Sequence, residues 1–158
     1  MMDELIGAKL PHNVEAEQSV LGAMLIDPIK CVPEIVSLLK AEDFYVPENR
    51  TIFETLFGMF NFNLPIDSVT LTNELQRSGS FDEMGGQSYL AQILSTTPTS
   101  ANFREYAKIV KEKSILRRLA EVTGDIYNKV MAGESDVESL IESAEQGIYS
   151  LRYNSAGD

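Results

Sequence analysis

The stretch that decides the fold is residues 102–151, which read NFREYAKIVKEKSILRRLAEVTGDIYNKVMAGESDVESLIESAEQGIYSL. Asn102, with Glu105 three residues later, has the spacing of a capping box, in which two side chains satisfy free amides at the start of a helix. Beyond this start, the side chains of one face recur mostly three or four residues apart, which predicts a helix of about 30 residues, or roughly 45 Å. The members of this face are Phe103, Tyr106, Val110, Leu116, Leu119, Thr123, Ile126 and Val130.

A second helix is predicted after the break at Ala132-Gly133-Glu134. Ser135 and Glu138 have the spacing of another capping box. The apolar face that follows consists of Val137, Leu140, Ile141, Ala144, Ile148 and Leu151. Two amphipathic helices joined by a short turn predict an antiparallel hairpin. Because the first helix is longer than most globular helices, we expect the hairpin to project and to need another surface to cover its apolar side chains.

Five shorter helices are predicted before the hairpin, so the fold class is all-α. The first is capped by Asn13 and has a buried face of Val14, Val20, Leu21, Met24 and Leu25. Small residues at Ala16, Gly22 and Ala23 would let another helix approach it closely. The other four helices are 29–39, 48–62, one capped by Asp67 or Ser68 that ends near Gly79, and 87–95. Pro33 lies inside the second helix and predicts a late start or a kink there.

The predicted organisation has four parts. Residues 1–10 are expected to form a flexible tail, residues 11–100 a compact globular subdomain of several helices, and residues 101–151 the projecting hairpin. Residues 152–158 end in a short stretch rich in small residues, which predicts the start of a linker.

Composition limits the class of protein. With 158 residues, the chain can bury about 70% of its unfolded surface and needs no metal or disulfide in order to fold. Its single cysteine, Cys31, excludes an internal disulfide and a cysteine-cluster metal site. Neither a signal peptide nor a membrane-spanning run is visible, which favours a cytoplasmic location without membrane contact.

The charge distribution is uneven. The net charge is −11, yet residues 104–118 carry six basic side chains and only two acidic ones. Because nucleic-acid binding usually needs a basic domain, the chain as a whole is a poor candidate for it. Two interpretations of residues 104–118 stay open: a solvated helix face that offsets acidic neighbours, or a helical module that contacts nucleic acid.

The sequence contains no recognisable catalytic or cofactor-binding chemistry. A phosphate-binding loop would need the pattern G-x-x-x-x-G-K-[ST], and no such run occurs. The only histidine, His12, leads into the first helix and has no cysteine beside it. Glu15 and Glu17 are two residues apart and so cannot face each other on a helix as a catalytic pair. The residues alone therefore predict a non-catalytic interaction module without a bound cofactor.

Residues 11–27, PHNVEAEQSVLGAMLID, resemble the opening motif of the bacterial replicative DNA helicases, the DnaB family. Further blocks of the same family follow in order: EDFY at 42–45, PID at 65–67, GG at 85–86, YAKIV at 106–110 and EKS at 112–114. The resemblance covers roughly residues 10–150. It departs from the family at Asn49, where a histidine is expected.

The resemblance implies the N-terminal domain of a longer chain. In the family, a linker helix and a RecA-like motor follow this domain, and the motor uses ATP and Mg²⁺ to drive a hexameric ring along single-stranded DNA. The N-terminal domains pair into a collar of three dimers, and the collar docks the C-terminal domain of primase. The related alternative is the helicase-binding domain of a primase, which has a similar helical shape.

Interaction sites are predicted on the hairpin and beside its base. The predicted self-association or partner-facing residues are Leu116, Arg117, Arg118, Leu119, Ala120, Ile126, Tyr127 and Val130. The two arginines would set orientation and encounter rate more than affinity. Tyr89 is the candidate primase contact, because tyrosine is favoured at interfaces. For each of these residues the competing interpretation is packing within the domain.

Overall fold

The computed structural model describes residues 10–155, with side chains described through residue 152. Residues 1–9 of the predicted tail lie outside these residues. Of the predicted linker start at 152–158, residues 156–158 lie outside them and residues 152–155 are helical. The described part contains seven α-helices and no strand, which confirms the all-α fold class. The helices are α1 Val14–Ile26, α2 Pro28–Leu38, α3 Pro47–Asn61, α4 Ser68–Arg77, α5 Gly86–Thr96, α6 Phe103–Ala132 and α7 Val137–Ser155.

The chain divides into two compact units, and the boundary falls within α6. One unit, called the head here, is Asn13–Glu112. The other, called the hairpin unit, contains the described residues before Asn13 and the chain from Lys113 onward. The core of the head is built from α1 to α5 and the first turns of α6, and its largest fully buried side chains include Phe44, Phe53 and Phe103.

Helix α1 is the central helix of the head. Asn13 caps it by accepting a hydrogen bond from the Ala16 amide at 2.9 Å, as predicted. Every residue from 16 to 25 is buried, so the helix is enclosed on all sides. The prediction of a single buried face was therefore too narrow, and its first member was wrong, because Val14 is 38% exposed. Enclosure on all sides also explains why this helix carries polar side chains into the interior.

The turn between α1 and α2 occupies a single residue. Asp27 ends α1 by donating its amide to the Ala23 carbonyl at 3.0 Å, and Pro28 begins α2. Proline fits the first helical position because its missing N–H would have no partner there. The predicted late start near Pro33 is wrong, since α2 begins at Pro28 and continues through Pro33.

Helices α3 to α5 begin close to where the sequence predicts. Asp67 caps α4 by accepting from the Thr70 amide at 2.8 Å, and Gly85 precedes α5 with a φ of 101°, a conformation that favours glycine. Two large apolar side chains of these helices lie at the surface. Val69 is 75% exposed and Phe57 is 41% exposed, while Leu71 and Phe53 on the same helices are buried.

Helix α6 has the predicted length, whereas α7 is capped one residue later than predicted and continues to Ser155, past the predicted end of the hairpin at residue 151. Helix α6 is 30 residues long, as predicted. The predicted Ser135 cap is wrong, because Asp136 caps α7 by accepting from the Ser139 amide at 2.9 Å. Serine and aspartate are both favourable N-cap residues, so the sequence could not distinguish which of the two neighbouring residues caps the helix. Gly133 supplies a left-handed backbone, φ 67°, at the turn.

Close approaches between α6 and α7 establish that the pair is antiparallel. A Cβ on Gly147 would lie 2.9 Å from Val122 Cγ1, and Lys129 Nζ donates to Ser143 Oγ at 3.3 Å. Later residues of α6 thus meet earlier residues of α7.

Candidate protein-interaction surfaces

The hairpin unit exposes large apolar side chains along both of its helices. On α6 the exposed set is Leu116, Leu119, Tyr127, Val130 and Met131, and on α7 it is Val137, Ile141, Ile148 and Tyr149. Four of the predicted partner-facing residues belong to this set, with exposures from 37% at Leu119 to 52% at Val130. Ala120 and Ile126 are half-buried. Apolar surface on both helices of one hairpin is typical of a surface that another protein covers.

The buried face of α6 is not the predicted one beyond Val110. It continues through Ser114 and Arg117, which are 2% and 7% exposed, while Leu116 stays at the surface. The Arg117 guanidinium donates to the Pro11 carbonyl at 2.9 Å. Sequence reasoning missed this face because Ser114 and Arg117 are polar, although the spacing from Val110 is helical. Arg117 is thus largely covered within the hairpin unit, and Arg118 is half-buried.

Two cations of the basic stretch 104–118 are paired with carboxylates of the head. Arg104 makes a two-pronged contact with Glu34, in which Nη2 lies 2.8 Å from Oε1 and Nε also donates to Oε2. The hydrogen bond from Arg104 lowers the pKa of Glu34. Lys111 Nζ lies 3.3 Å from Oδ2 of Asp43, whose side chain is fully buried. These pairs reduce the positive charge that the stretch could offer to a phosphate backbone.

Tyr89 is half-buried on α5 and its hydroxyl is fixed on both sides. The hydroxyl donates to Asn49 Oδ1 at 2.5 Å and accepts from Gln18 Nε2 at 3.2 Å. Burial raises the pKa of Tyr89, because the phenolate would lose hydration there. The hydroxyl of Tyr89, the predicted primase contact, is therefore already hydrogen-bonded within the head, and the side chain is only partly exposed.

A buried carboxylate, Glu17, lies behind this tyrosine. It is 1% exposed and accepts three hydrogen bonds, from the amides of Tyr45 at 2.8 Å and Val46 at 3.2 Å and from Asn49 Nδ2 at 2.9 Å. From the sequence, Glu17 is considered only as an unsuitable catalytic partner of Glu15, and nothing there indicates that it is buried. Glu17 is buried because other segments enclose α1 on all sides. The spacing of residues along the sequence cannot predict this burial.

Asn49 connects the carboxylate to the tyrosine. It is fully buried and uses one donor and one acceptor, towards Glu17 and Tyr89 respectively. A neutral imidazole also offers one donor and one acceptor. The side chain that departs from the resembled family thus retains the hydrogen-bonding pattern a histidine would supply.

A separate apolar groove of about 590 Å³ lies between α2 and the turn after α3. Pro28, Ile29 and Pro33 form one wall, and Leu64, Pro65 and Ile66 form the other. No charged side chain lines this groove. Among the described residues there is no cluster of His, Cys, Asp or Glu that could hold a metal ion. None of the described helices combines the length and the hydropathy needed to cross a membrane.

Comparison with known proteins places these features in a family. Residues 9–112 match the DnaB-like helicase N terminal domain. The replicative DNA helicase DnaB of Geobacillus stearothermophilus is 38% identical over 148 residues, which are 93% of this chain and 32% of that protein. The chain thus spans about a third of the length of the curated relatives it matches.

Solved structures support the same assignment. The crystal structure of the N-terminal domain of DnaB helicase from Mycobacterium tuberculosis superposes with a TM-score of 0.82 at 35% identity, covering 89% of this chain and 99% of that one. The N-terminal domain of DnaB helicase from Helicobacter pylori, described with its interactions with primase, gives a TM-score of 0.64 at 25% identity, covering 74% and 90% of the two chains. These matches are to helicases, which removes the alternative of a primase domain. The chain therefore belongs to the DnaB-like helicase N-terminal domain family.

Proposed function

We propose that this domain assembles a replicative DNA helicase and docks primase onto it. The parent chain would be an ATP-driven and Mg²⁺-dependent helicase that unwinds DNA at the replication fork. The domain itself would carry no ATPase site and would act through protein contacts, first with copies of itself as a dimer or a hexameric ring of three dimers, then with the primase C-terminal domain.

The observation that carries this proposal is the exposed apolar surface on the hairpin. Leu119 and Val130 lie on the first hairpin helix and Ile141 on the second, and all three are exposed. Transfer of apolar surface from water stabilises association by about 25 cal/mol per Å² before the entropic costs of association are subtracted. A second hairpin offers the same side chains in return, so pairing with a copy would cover both surfaces.

Self-association is tested by light scattering over a range of concentrations. The domain should form a concentration-dependent dimer, and Leu119→Asp combined with Ile126→Asp should make it monomeric with helix content unchanged. Asn128→Asp adds one of the two negative charges of that variant, at an exposed position of the same helix outside the proposed surface, and it should leave the dimer intact. A strict monomer at about 100 µM, where a contact of micromolar affinity would be saturated, would refute hairpin pairing in the isolated domain.

Primase docking is supported by two observations. Tyr89 presents a partly exposed ring on α5, and the Helicobacter pylori relative is described with its interactions with primase. Calorimetric titration with the primase C-terminal domain tests the proposal directly. Binding that is lost on Tyr89→Ala supports the contact, and full affinity in that variant argues against it.

A further inference from the structure

The buried polar side chains behind Tyr89 hold the segment before α3 and also reach the tyrosine. Glu17 and Asn49 are both almost fully enclosed, yet they form a chain of hydrogen bonds that ends on the one partly exposed tyrosine of α5. Burying polar groups is tolerated only when each finds a partner, and an apolar pair of similar size would avoid that requirement. The network therefore connects a buried structural carboxylate to a side chain that reaches the surface.

We propose that Glu17 and Asn49 are positioning residues, which hold the Tyr89 side chain in the orientation that primase binds. This inference rests on the proposed function, in which Tyr89 contacts primase. Neither positioning residue needs to touch the partner.

The direction of each hydrogen bond is fixed by chemistry. A carboxylate can only accept, so the Asn49 atom that faces Glu17 must be the amide nitrogen. The Asn49 oxygen then faces Tyr89 and must accept the phenol proton at 2.5 Å. The Tyr89 oxygen is left to accept, which it does from Gln18 at 3.2 Å. One carboxylate thereby sets the orientation of an amide, and the amide sets that of the phenol.

Glu17 is itself held by the backbone. The amides of Tyr45 and Val46 donate to its two oxygens at 2.8 and 3.2 Å. The network thus joins α1, the segment that leads into α3, and α5. Beneath the tyrosine, Gly85 has no side chain, and a Cβ there would lie 2.7 Å from Tyr89 Cβ. The ring is therefore held at its hydroxyl, and the missing side chain of Gly85 leaves the room that its base occupies.

A pre-ordered aromatic side chain binds more tightly than a mobile one. Immobilising a side chain at an interface has an entropic cost, and here that cost is already met in the free domain. Removing the Asn49 amide should allow the ring to move and should weaken primase binding by about threefold to tenfold.

The test is a double-mutant cycle on primase affinity. Four proteins are titrated with the primase C-terminal domain: the unmodified chain, Asn49→Ala, Tyr89→Phe and the double variant. If Asn49 acts through the Tyr89 hydroxyl, each single substitution weakens primase binding. The double variant then binds primase no more weakly than whichever single variant has the lower affinity. Effects that multiply in the double variant would overturn the proposal, because Asn49 would then act by another route.

Further variants separate the possible failures. Gln18→Ala removes the second hydroxyl contact without touching Glu17, so it should weaken binding even if Asn49→Ala folds poorly. If Tyr89→Ala loses primase but neither Asn49→Ala nor Gln18→Ala weakens it, the positioning role is refuted while docking at Tyr89 stands. If Tyr89→Ala binds normally, docking at Tyr89 fails, and positioning fails with it. Thermal unfolding of each variant checks that changes in affinity do not follow stability alone.

Discussion

Thr97 Oγ1 lies 1.7 Å from the place that a Cβ atom on Gly22 would occupy. The single proton of the Thr97 hydroxyl is shared between the Ile93 carbonyl at 2.8 Å and, more weakly, the Gln18 carbonyl at 3.5 Å, so it joins the end of α5 to the middle of α1. The small residues of α1 predict a close approach by another helix. The structure confirms the close approach at Gly22 and shows that it is made by the residue that follows α5.

Gly22→Ala should strongly destabilise the head, because the added methyl group overlaps Thr97 and neither backbone can easily move. Chemical denaturation should show a loss of about 1–3 kcal/mol, as overpacking of a core produces. Gly58→Ala is the matched control, since a Cβ there meets nothing within 4 Å and alanine favours a helix by up to about 1 kcal/mol. Equal effects of the two substitutions would contradict the packing argument.

Glu17→Gln should destabilise the head, because glutamine replaces one accepting oxygen of the carboxylate with an NH2 group. That group would face the donors that hydrogen-bond to the carboxylate. Leaving buried donors unsatisfied costs about 1–3 kcal/mol. Glu15→Gln makes the same change at an exposed site in the first turn of the same helix and should cost about 0.5 kcal/mol or less. Urea unfolding of both variants provides the measurement, and a neutral Glu17→Gln would count against the assigned hydrogen bonds.

Asp136→Ala should fray the start of α7, whereas Ser135→Ala should not. The Ser139 hydroxyl and amide lower the pKa of Asp136, so the folded state favours its ionised form. The stability this gives is present above the unfolded pKa of about 3.9 and is lost as the pH falls through the lower folded value. Circular dichroism should therefore show that the unmodified chain and Ser135→Ala lose helix content between pH 5 and pH 2. Asp136→Ala should not show this pH-dependent loss.

Gly147→Leu should separate the hairpin helices and weaken self-association, because any side chain there meets Val122 within about 3 Å. Gln146→Leu places the same side chain one residue earlier on an exposed position and should have little effect. Sedimentation of both variants over a range of concentrations distinguishes them. A dimer of unchanged affinity in Gly147→Leu would show that the approach at Val122 is dispensable.

Binding to single-stranded DNA by the isolated domain should be weak. Arg104 and Lys111 are paired with carboxylates, and the chain is acidic overall. Fluorescence anisotropy with a labelled oligonucleotide should give no saturable binding at physiological salt. Tight binding that falls steeply with added salt, and that is lost on Lys108→Glu, would instead support the nucleic-acid hypothesis.

Much of the fold follows from local rules. The caps at Asn13 and Asp67 were predicted because a short polar side chain before an apolar run satisfies the first free amides of a helix. The length of α6 followed from a sustained helical period. Such features depend on residues within a few positions of one another, so they can be predicted directly from the sequence.

Burial of polar side chains depends on contacts between distant segments, so the sequence alone could not reveal it. Glu17 meets the backbone 28 residues away, and Tyr89 meets Asn49 across 40 residues. Arg117 and Ser114 take the inward positions of α6, while Leu116 remains outside. The sequence by itself thus determined the helices, the caps of α1 and α4 and the family. Only the tertiary structure decided which polar groups are enclosed, because that depends on which elements surround each helix.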